Sequence, residues 1–342
     1  MILDIGTGTT KAGMSHDALP GVVFPTVCGA PIKKTRLLRK KDEAADSGLN
    51  AHLIGHDVLH NIGKCTMSYP LEHGIVKDWA SMEHLFNHCF TELEQEPEEA
   101  NVVLTEPPFN PLANRETYAQ TIFETFNCES LAFVPQGICA LYASGRTSGI
   151  VLDSGDGVTH VTPVYDSFIV HQAMNRINFG GRHVAEHMKR LMFERGYNFN
   201  NIQDELTLKK MKEEVCYVAE NYELEVAVGD DEDDKMDFDL PDGQAIEIAK
   251  ERFRATEILF DSQILQNELP TTQELVAEAV KGCGIDVRKE LLANIVLSGG
   301  NTMYNGYAKR LKDEVVKQFP GLFGSINVIE APDRVFSVWS GA

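Results

Sequence analysis

Positive charge is scarce in this chain. Its 342 residues carry 31 Lys and Arg against 51 Asp and Glu, a formal net charge of −20. Nucleic-acid binding as a main task needs clustered basic side chains to meet phosphates, so that class is set aside. The acidity fits solubility or a basic partner. No apolar run is long enough to span a bilayer, and no signal peptide precedes the first strand, so the expectation is a chain without a membrane partner. The seven cysteines, at 28, 65, 89, 128, 139, 216 and 283, form no C-x-x-C pair and no metal-like cluster. An odd, scattered set reads as reduced, mostly buried thiols of a cytosolic protein. The eleven histidines include no H-E-x-x-H, which excludes a zincin site. G-x-G-x-x-G and G-x-x-x-x-G-K-[ST] are missing too, which removes the simplest Rossmann and Walker readings.

What is present is a glycine hairpin, and it occurs twice. Hydrophobic residues make up 43% and charged residues 24%, the balance of a soluble globular chain long enough for two domains. In its second half Gly149-Ile-Val-Leu152 and Val158-Thr-His-Val-Thr-Pro-Val164 flank Asp153-Ser-Gly-Asp-Gly157. Two apolar, β-branched strands joined by a tight glycine turn are expected. The glycines let backbone N–H groups converge on an anion such as phosphate. Asp153, at the end of a buried strand, is costly to leave unpaired, and a hydrated Mg²⁺ would account for it. Alone, such a stretch reads as an ordinary hairpin turn. However, Met1-Ile-Leu-Asp4-Ile-Gly6-Thr-Gly8-Thr-Thr10-Lys11 overlays it at one constant offset, matching the Asp, both Gly and a Thr, with Lys11 opposite His160. Duplicated domains holding a nucleotide and Mg²⁺ between two such loops are the sharper reading.

Along the chain, residues 1–27 read as a strand, the first turn and one return strand ending at Pro25. Residues 31–52 are basic and then acidic, without periodicity, and read as a long loop. A helix follows Trp79 with Met82, Leu85, Phe86, Cys89 and Leu93 on one face. Val102–Thr105 reads as a strand, Ala113–Glu116 opens a helix running through Phe126, and Gln136 starts a small-residue helix. Gly145–Gly149 then breaks the chain, and the boundary between halves is placed there. In the second half one helix is expected through Val184, Met188 and Leu191. Another carries Leu208, Met211, Val215 and Val218 on a stripe, with Lys212 and Glu213 off it. Asp230–Asp234 reads as a solvated charge run. Ala293–Leu297 is a strand feeding a third glycine loop, Ser298-Gly-Gly-Asn-Thr-Met-Tyr304, whose Gly-Gly delivered to a helix start would make a second kind of anion site.

Two Asp-x-Gly-x-Gly hairpins and a Gly-Gly loop resemble the actin, Hsp70 and sugar-kinase ATPase superfamily. Tyr69-Pro-Leu-Glu-His-Gly-Ile-Val, Leu104-Thr-Glu, Phe123-Glu-Thr-Phe-Asn, Leu141-Tyr-Ala-Ser-Gly-Arg-Thr, Glu194-Arg-Gly-Tyr, Leu240-Pro-Asp-Gly-Gln and Ser337-Val-Trp narrow the resemblance to actin, in order along essentially the whole chain. It implies an α/β, duplicated ribonuclease H-like ATPase fold, two lobes with four subdomains around a nucleotide cleft. The four would be residues 1–25, 70–143 and 337–342; residues 26–69; residues 144–179 and 269–336; and residues 180–268. ATP or ADP with Mg²⁺ (or Ca²⁺) would be the cofactors, and slow ATP hydrolysis coupled to filament assembly the activity. Partners would be the protein itself or conventional actin, and actin-binding proteins, in the cytoplasm and cytoskeleton. The alternative is an actin-related subunit serving as a nucleotide-stabilised scaffold in a larger complex such as dynactin, a chromatin remodeller or a ciliary dynein, with a nuclear or ciliary location.

By position, the resemblance places phosphates on Gly6, Thr7, Gly8 and Lys11 and on Gly155, Asp156, Gly157 and Val158. Asp4, Gln136 and Asp153 would hold the cation through water, and Gln136 and His160 would orient the attacking water. Lys209, Lys212, Glu213, Gly299, Gly300, Met303 and Tyr304 would line the nucleoside pocket, and His73 matches the family's methylated histidine. Departures from the family pattern are Ile5 for Asn, Thr10 for Cys, Asn178 for Asp, Lys209 for Arg, Val335 for Lys and Phe336 for Tyr. The loop 31–52 stands where the family inserts into a neighbouring subunit, but is longer and more basic. Asp261–Pro270 is a more polar version of the hydrophobic plug.

Overall fold

A computed structural model describes residues 1–32, 52–228, 235–266 and 268–342. The basic loop from Lys33, the Asp230–Asp234 run and Asn267 of the plug segment lie outside the described residues. The chain divides into two compact units, residues 1–134 and 135–341. The division therefore falls before the Gln136 helix, earlier than the glycine-rich break at 145–149.

The first unit is built on the hairpin β1 (Ile2–Ile5) and β2 (Thr9–Gly13), which pair antiparallel with Asp4 opposite Lys11. Strand β3 (Val22–Pro25) follows as a separate strand, where one continuous return strand was expected. The chain breaks because Asp17 closes a turn, its carboxylate accepting from Met14 N at 3.0 Å. Strands β4 (Cys28–Pro31), β5 (Leu53–Ile54) and β6 (Cys65–Ser68) form a small sheet with α1 (His56–His60) over a satellite cluster of Val27, Val58 and Cys65. After the short ribbon β7 (Leu71–Glu72) and β8 (Ile75–Val76) comes α2 (Trp79–Glu92), capped by Asp78. It buries Met82, Leu85, Phe86 and Cys89, as its apolar period predicts. Strand β9 (Asn101–Glu106) runs parallel beside β1. The next helix, α3 (Leu112–Gln120), ends early: Thr121–Thr125 are wound as a π-helix, which turns Phe123 outward. Strand β10 (Ser130–Pro135) completes a five-stranded sheet in the order β10-β9-β1-β2-β3.

The second unit opens with α4 (Gln136–Ala143), then β11 (Gly149–Ser154), β12 (Thr159–Tyr165), β13 (Phe168–Ile169) and β14 (Asn175–Ile177). Helices α5 (Gly181–Glu194), α6 (Ile202–Val215) and α7 (Tyr222–Val228) follow, then the hairpin β15 (Met236–Asp239) and β16 (Ala245–Ile248) and α8 (Glu251–Glu257). The chain continues through α9 (Thr272–Gly282), α10 (Ile285–Leu292), β17 (Ile295–Ser298), α11 (Tyr307–Gln318), β18 (Val328–Ile329) and α12 (Ser337–Gly341). The main sheet has the order β13-β12-β11-β17-β18, with β14 also on β12. Substituting β11 for β1, β12 for β2, β13 for β3, β17 for β9 and β18 for β10 converts the first path into the second, and β1–β9 and β11–β17 are both parallel. The sheet path is thus duplicated, with β14 as the one addition among the described residues.

Two expectations within this unit are corrected. Helix α6 stops at Val215, so Val218 lies beyond it, though still buried, because Val218 N donates to Asn305 O at 2.8 Å instead of continuing the helix. Lys212, expected off the apolar stripe, is buried with it. Each unit has its own apolar core, and all seven cysteines are buried, none of them in a disulfide. Among the described residues no helix is long and apolar enough to cross a membrane.

Candidate functional site

In the first unit the repeated stretch forms a closed polar station at the end of a buried strand. Asp4 is buried, with Oδ2 accepting from Lys11 Nζ at 2.9 Å and Oδ1 from the Thr105 hydroxyl at 2.7 Å. Gly6 N–H donates across the turn to Thr9 O at 3.0 Å. Thr7 and Gly8 make the tip, and the Thr7 hydroxyl accepts from Gly74 N at 2.8 Å. That amide follows His73, whose φ of 48° is left-handed and unusual for a residue other than glycine. The expected phosphate residues Gly6, Thr7, Gly8 and Lys11 are therefore contiguous around one turn, with the metal candidate Asp4 at its base.

The second unit repeats the station with one substitution of chemistry. Asp153 stands opposite His160, as Asp4 stands opposite Lys11, and its Oδ2 faces His160 Nε2 at 3.4 Å. Burial pushes the imidazole pKa down, Asp153 pulling it up and Arg176 reinforcing the fall. His160 is therefore neutral at neutral pH. The facing carboxylate favours the proton on Nε2, which leaves Nδ1 an acceptor, and that buried nitrogen has no hydrogen-bond partner among the described residues. A buried acceptor without a donor is costly unless something such as water supplies one.

Gln136 is brought to this station by helix packing. It is the first residue of α4, and the next one, Gly137, lies flat on β12: a Cβ there would stand 2.6 Å from Thr162 Cβ. Thr162 and His160 are two apart on one strand and share a face. Gly137 therefore seats the start of α4 on the strand that carries His160.

The remaining candidates converge on the same hairpin from behind. Gly155 N–H donates to Val158 O at 2.9 Å, closing the turn that carries Asp156 and Gly157. Lys212 Nζ donates to Gly181 O at 3.0 Å, and burial depresses its pKa against the pull of Asp156 and Glu213. Tyr304 is buried and its phenol pushed well up, by burial first and then by Cys216, Glu213 and Asp156. Glu213 and Met303 are exposed, and Lys209 sits half-buried one turn before Glu213 on α6. Gly299, at φ 85°, presses on the base of the hairpin: a Cβ there would lie 2.5 Å from Asp153 Oδ1. Space beside Gly300 is open. The third glycine loop enters a single 3-10 turn, Gly300–Thr302, with Gly299 as its N-cap, and the α-helix of this segment, α11, begins only at Tyr307.

Several supporting residues escaped the sequence reading. Arg334 is buried and clamps the third loop through Thr302, its Nη2 donating to Thr302 O at 2.8 Å and Nε to Thr302 Oγ1 at 3.1 Å. Asn301 Nδ2 donates to Ser154 Oγ at 3.2 Å, and Arg182 faces Asp156 Oδ2 at 3.4 Å. Thr105 had a visible signal: Val103-Leu-Thr105 beside β1 repeats as Val296-Leu-Ser298 beside β11.

Each hairpin fits phosphate oxygens and a hydrated divalent cation. In each unit a buried carboxylate offers hard oxygen ligands and a glycine turn offers backbone donors, and in the first a lysine adds positive charge. Among the described residues no group of three or more His, Cys, Asp or Glu could hold a metal directly, so water and phosphate oxygens would complete its shell. A family model described as Actin matches residues 1–342. An "Actin-like protein" of Neurospora crassa is 41% identical over 347 residues, covering 100% of this chain and 89% of the relative.

Proposed function

The chain belongs to the actin family, and from that premise we propose that it binds Mg-ATP or Mg-ADP through both glycine hairpins and hydrolyses ATP slowly. Filaments, its own or those of conventional actin, are the proposed setting, in the cytoplasm. The observation that carries the reading is the neutral, buried His160, held opposite Asp153 with an acceptor nitrogen that has no hydrogen-bond partner among the described residues.

Lys11 and the turn N–H groups would bind phosphate oxygens, and Lys212, Tyr304 and the Gly299 loop would border the nucleoside. Asp4, Gln136 and Asp153 would hold the cation through water. When bound, the cation neutralises phosphate charge. His160 Nδ1 accepts a proton of the attacking water in a hydrogen bond, and Gln136 fixes that water from the other side. Asp153 holds the imidazole in the tautomer this needs. Positioning of this kind is most of what phosphoryl transfer asks of a protein.

Measuring phosphate release from purified protein tests the assignment. Gln136→Ala and His160→Ala are each expected to slow release by about 10²-fold while ATP still binds. Release at the wild-type rate in both would remove these roles.

A second reading, a nucleotide-stabilised subunit that does not polymerise alone, is favoured by the plug segment. Ile264 and Leu265 pack on the unit's own core and Asp261 caps their turn, leaving Gln263, Gln266 and Glu268 outward.

A further inference from the structure

We propose that Thr26 is a positioning residue of the first phosphate loop, orienting its peptide planes towards a bound polyphosphate, and that Thr10 fixes the direction of that hold. The inference rests on the nucleotide reading above and names a residue outside the motif. The Thr26 hydroxyl donates to Gly6 O at 2.8 Å and its backbone N–H to Gly8 O at 3.2 Å. One residue therefore binds both glycine carbonyls of the turn. In a trans peptide the carbonyl and the following N–H point in opposite directions. Holding Gly6 O and Gly8 O towards Thr26 turns the N–H groups of Thr7 and Thr9 to the opposite side. Two donors facing one way make an anion-binding concavity.

The direction of this relay is set. Because the Thr26 proton goes to Gly6 O, Thr26 Oγ1 can only accept from Thr10 Oγ1, 2.9 Å away. Both side chains are buried. The second hairpin supports the assignment, because there the same task falls to backbone groups. Gly155 O accepts from Gly181 N, and Asp156 O from Arg182 N, both at 2.9 Å. In both turns the glycine that donates across the hairpin (Gly6, Gly155) has its own carbonyl taken from behind by a third segment. The first turn lacks a helix start at that place and uses a threonine.

The test measures binding of Mg-ATP and of Mg-tripolyphosphate to the full chain, with the melting temperature of each variant without nucleotide. Thr26→Val keeps the shape and the backbone N–H and removes only the hydroxyl. It is expected to weaken both ligands by about three- to ten-fold, the worth of one hydrogen bond, and Thr26→Ser to restore them. Thr26→Val also strands the buried Thr10 hydroxyl and lowers the melting temperature. Removing both partners with Thr10→Val and Thr26→Val together should recover much of that stability but none of the affinity. Wild-type affinity in Thr26→Val, or affinity that returns with stability in the double variant, would overturn the positioning role. Wild-type protein that binds neither ligand would instead sink the nucleotide reading itself.

Discussion

His187 lies on the buried face of α5, against the side of α8 that carries Arg254. Its pKa falls from 6.5 to about 4, chiefly through burial, with Arg190 and Arg254 adding to the fall. The folded protein therefore holds it neutral while the unfolded chain takes up a proton below about pH 6.5. Stability is complete above that pH and is lost as pH falls towards 4, at about 1.4 kcal/mol per unit and up to about 3 kcal/mol in all. His160, also depressed, contributes with the same sign. Urea unfolding at pH 7, 5.5 and 4.5 should show the loss, and His187→Leu should flatten part of it. An unchanged slope in the variant would mean that this imidazole does not drive it. Such burial was not legible in the sequence, where His187 sits amid Glu186, Lys189 and Arg190 with nothing to mark it. Lys212 was read as lying off the apolar stripe for the same reason, because only the fold supplies the Gly181 carbonyl that lets its ammonium be buried.

At the scale of elements, the helix that begins with Gln136 is placed by contact rather than by its own propensity. Glycine inside a helix ordinarily costs up to about 1 kcal/mol relative to alanine, so Gly137→Ala would stabilise an isolated helix. Here the added Cβ meets Thr162 at 2.6 Å, and the contact should decide the sign. A loss of about 1–3 kcal/mol is expected, with slower phosphate release because Gln136 is displaced while nucleotide binding persists. A gain in melting temperature would show that α4 has room to spare.

The hairpins were readable because their signals are local: a turn chemistry, a two-residue period and a constant offset between copies. Element ends were read less well where a distant group decides them. Nothing between Val215 and Val218 announces the end of α6, since the competing acceptor for Val218 N is Asn305 O. The π-helical winding of Thr121–Thr125 leaves no pattern that separates it from an α-helix of the same composition. Asp17, which ends β2's run, had a turn signal of the usual kind, but Val22–Pro25 read as the same strand resumed.

For the molecule as a whole, the family assignment leaves self-assembly open to a direct measurement. Sedimentation in Mg-ATP and salt, with imaging of the pellet, is expected to yield filaments, and nucleotide is expected to raise the melting temperature, since a ligand bound only by the folded state must stabilise it. Protein that binds nucleotide yet stays in the supernatant, and pellets only with added actin or a purified complex, would transfer the conclusion to the scaffold reading. The duplication was legible at this scale because both copies carry their aspartate and glycines at one constant offset, on sheets of the same strand order.

What has not been kept is the residue across from each aspartate, lysine in one copy and a proton-poor imidazole in the other. Two identical chains associating about a symmetry axis would have to carry the same residue in both places: two fixed cations or two neutral bases. A single polypeptide escapes that constraint. With the copies joined in one chain, one half keeps a lysine opposite its aspartate and the other an imidazole, an asymmetry closed to any homodimer of identical halves.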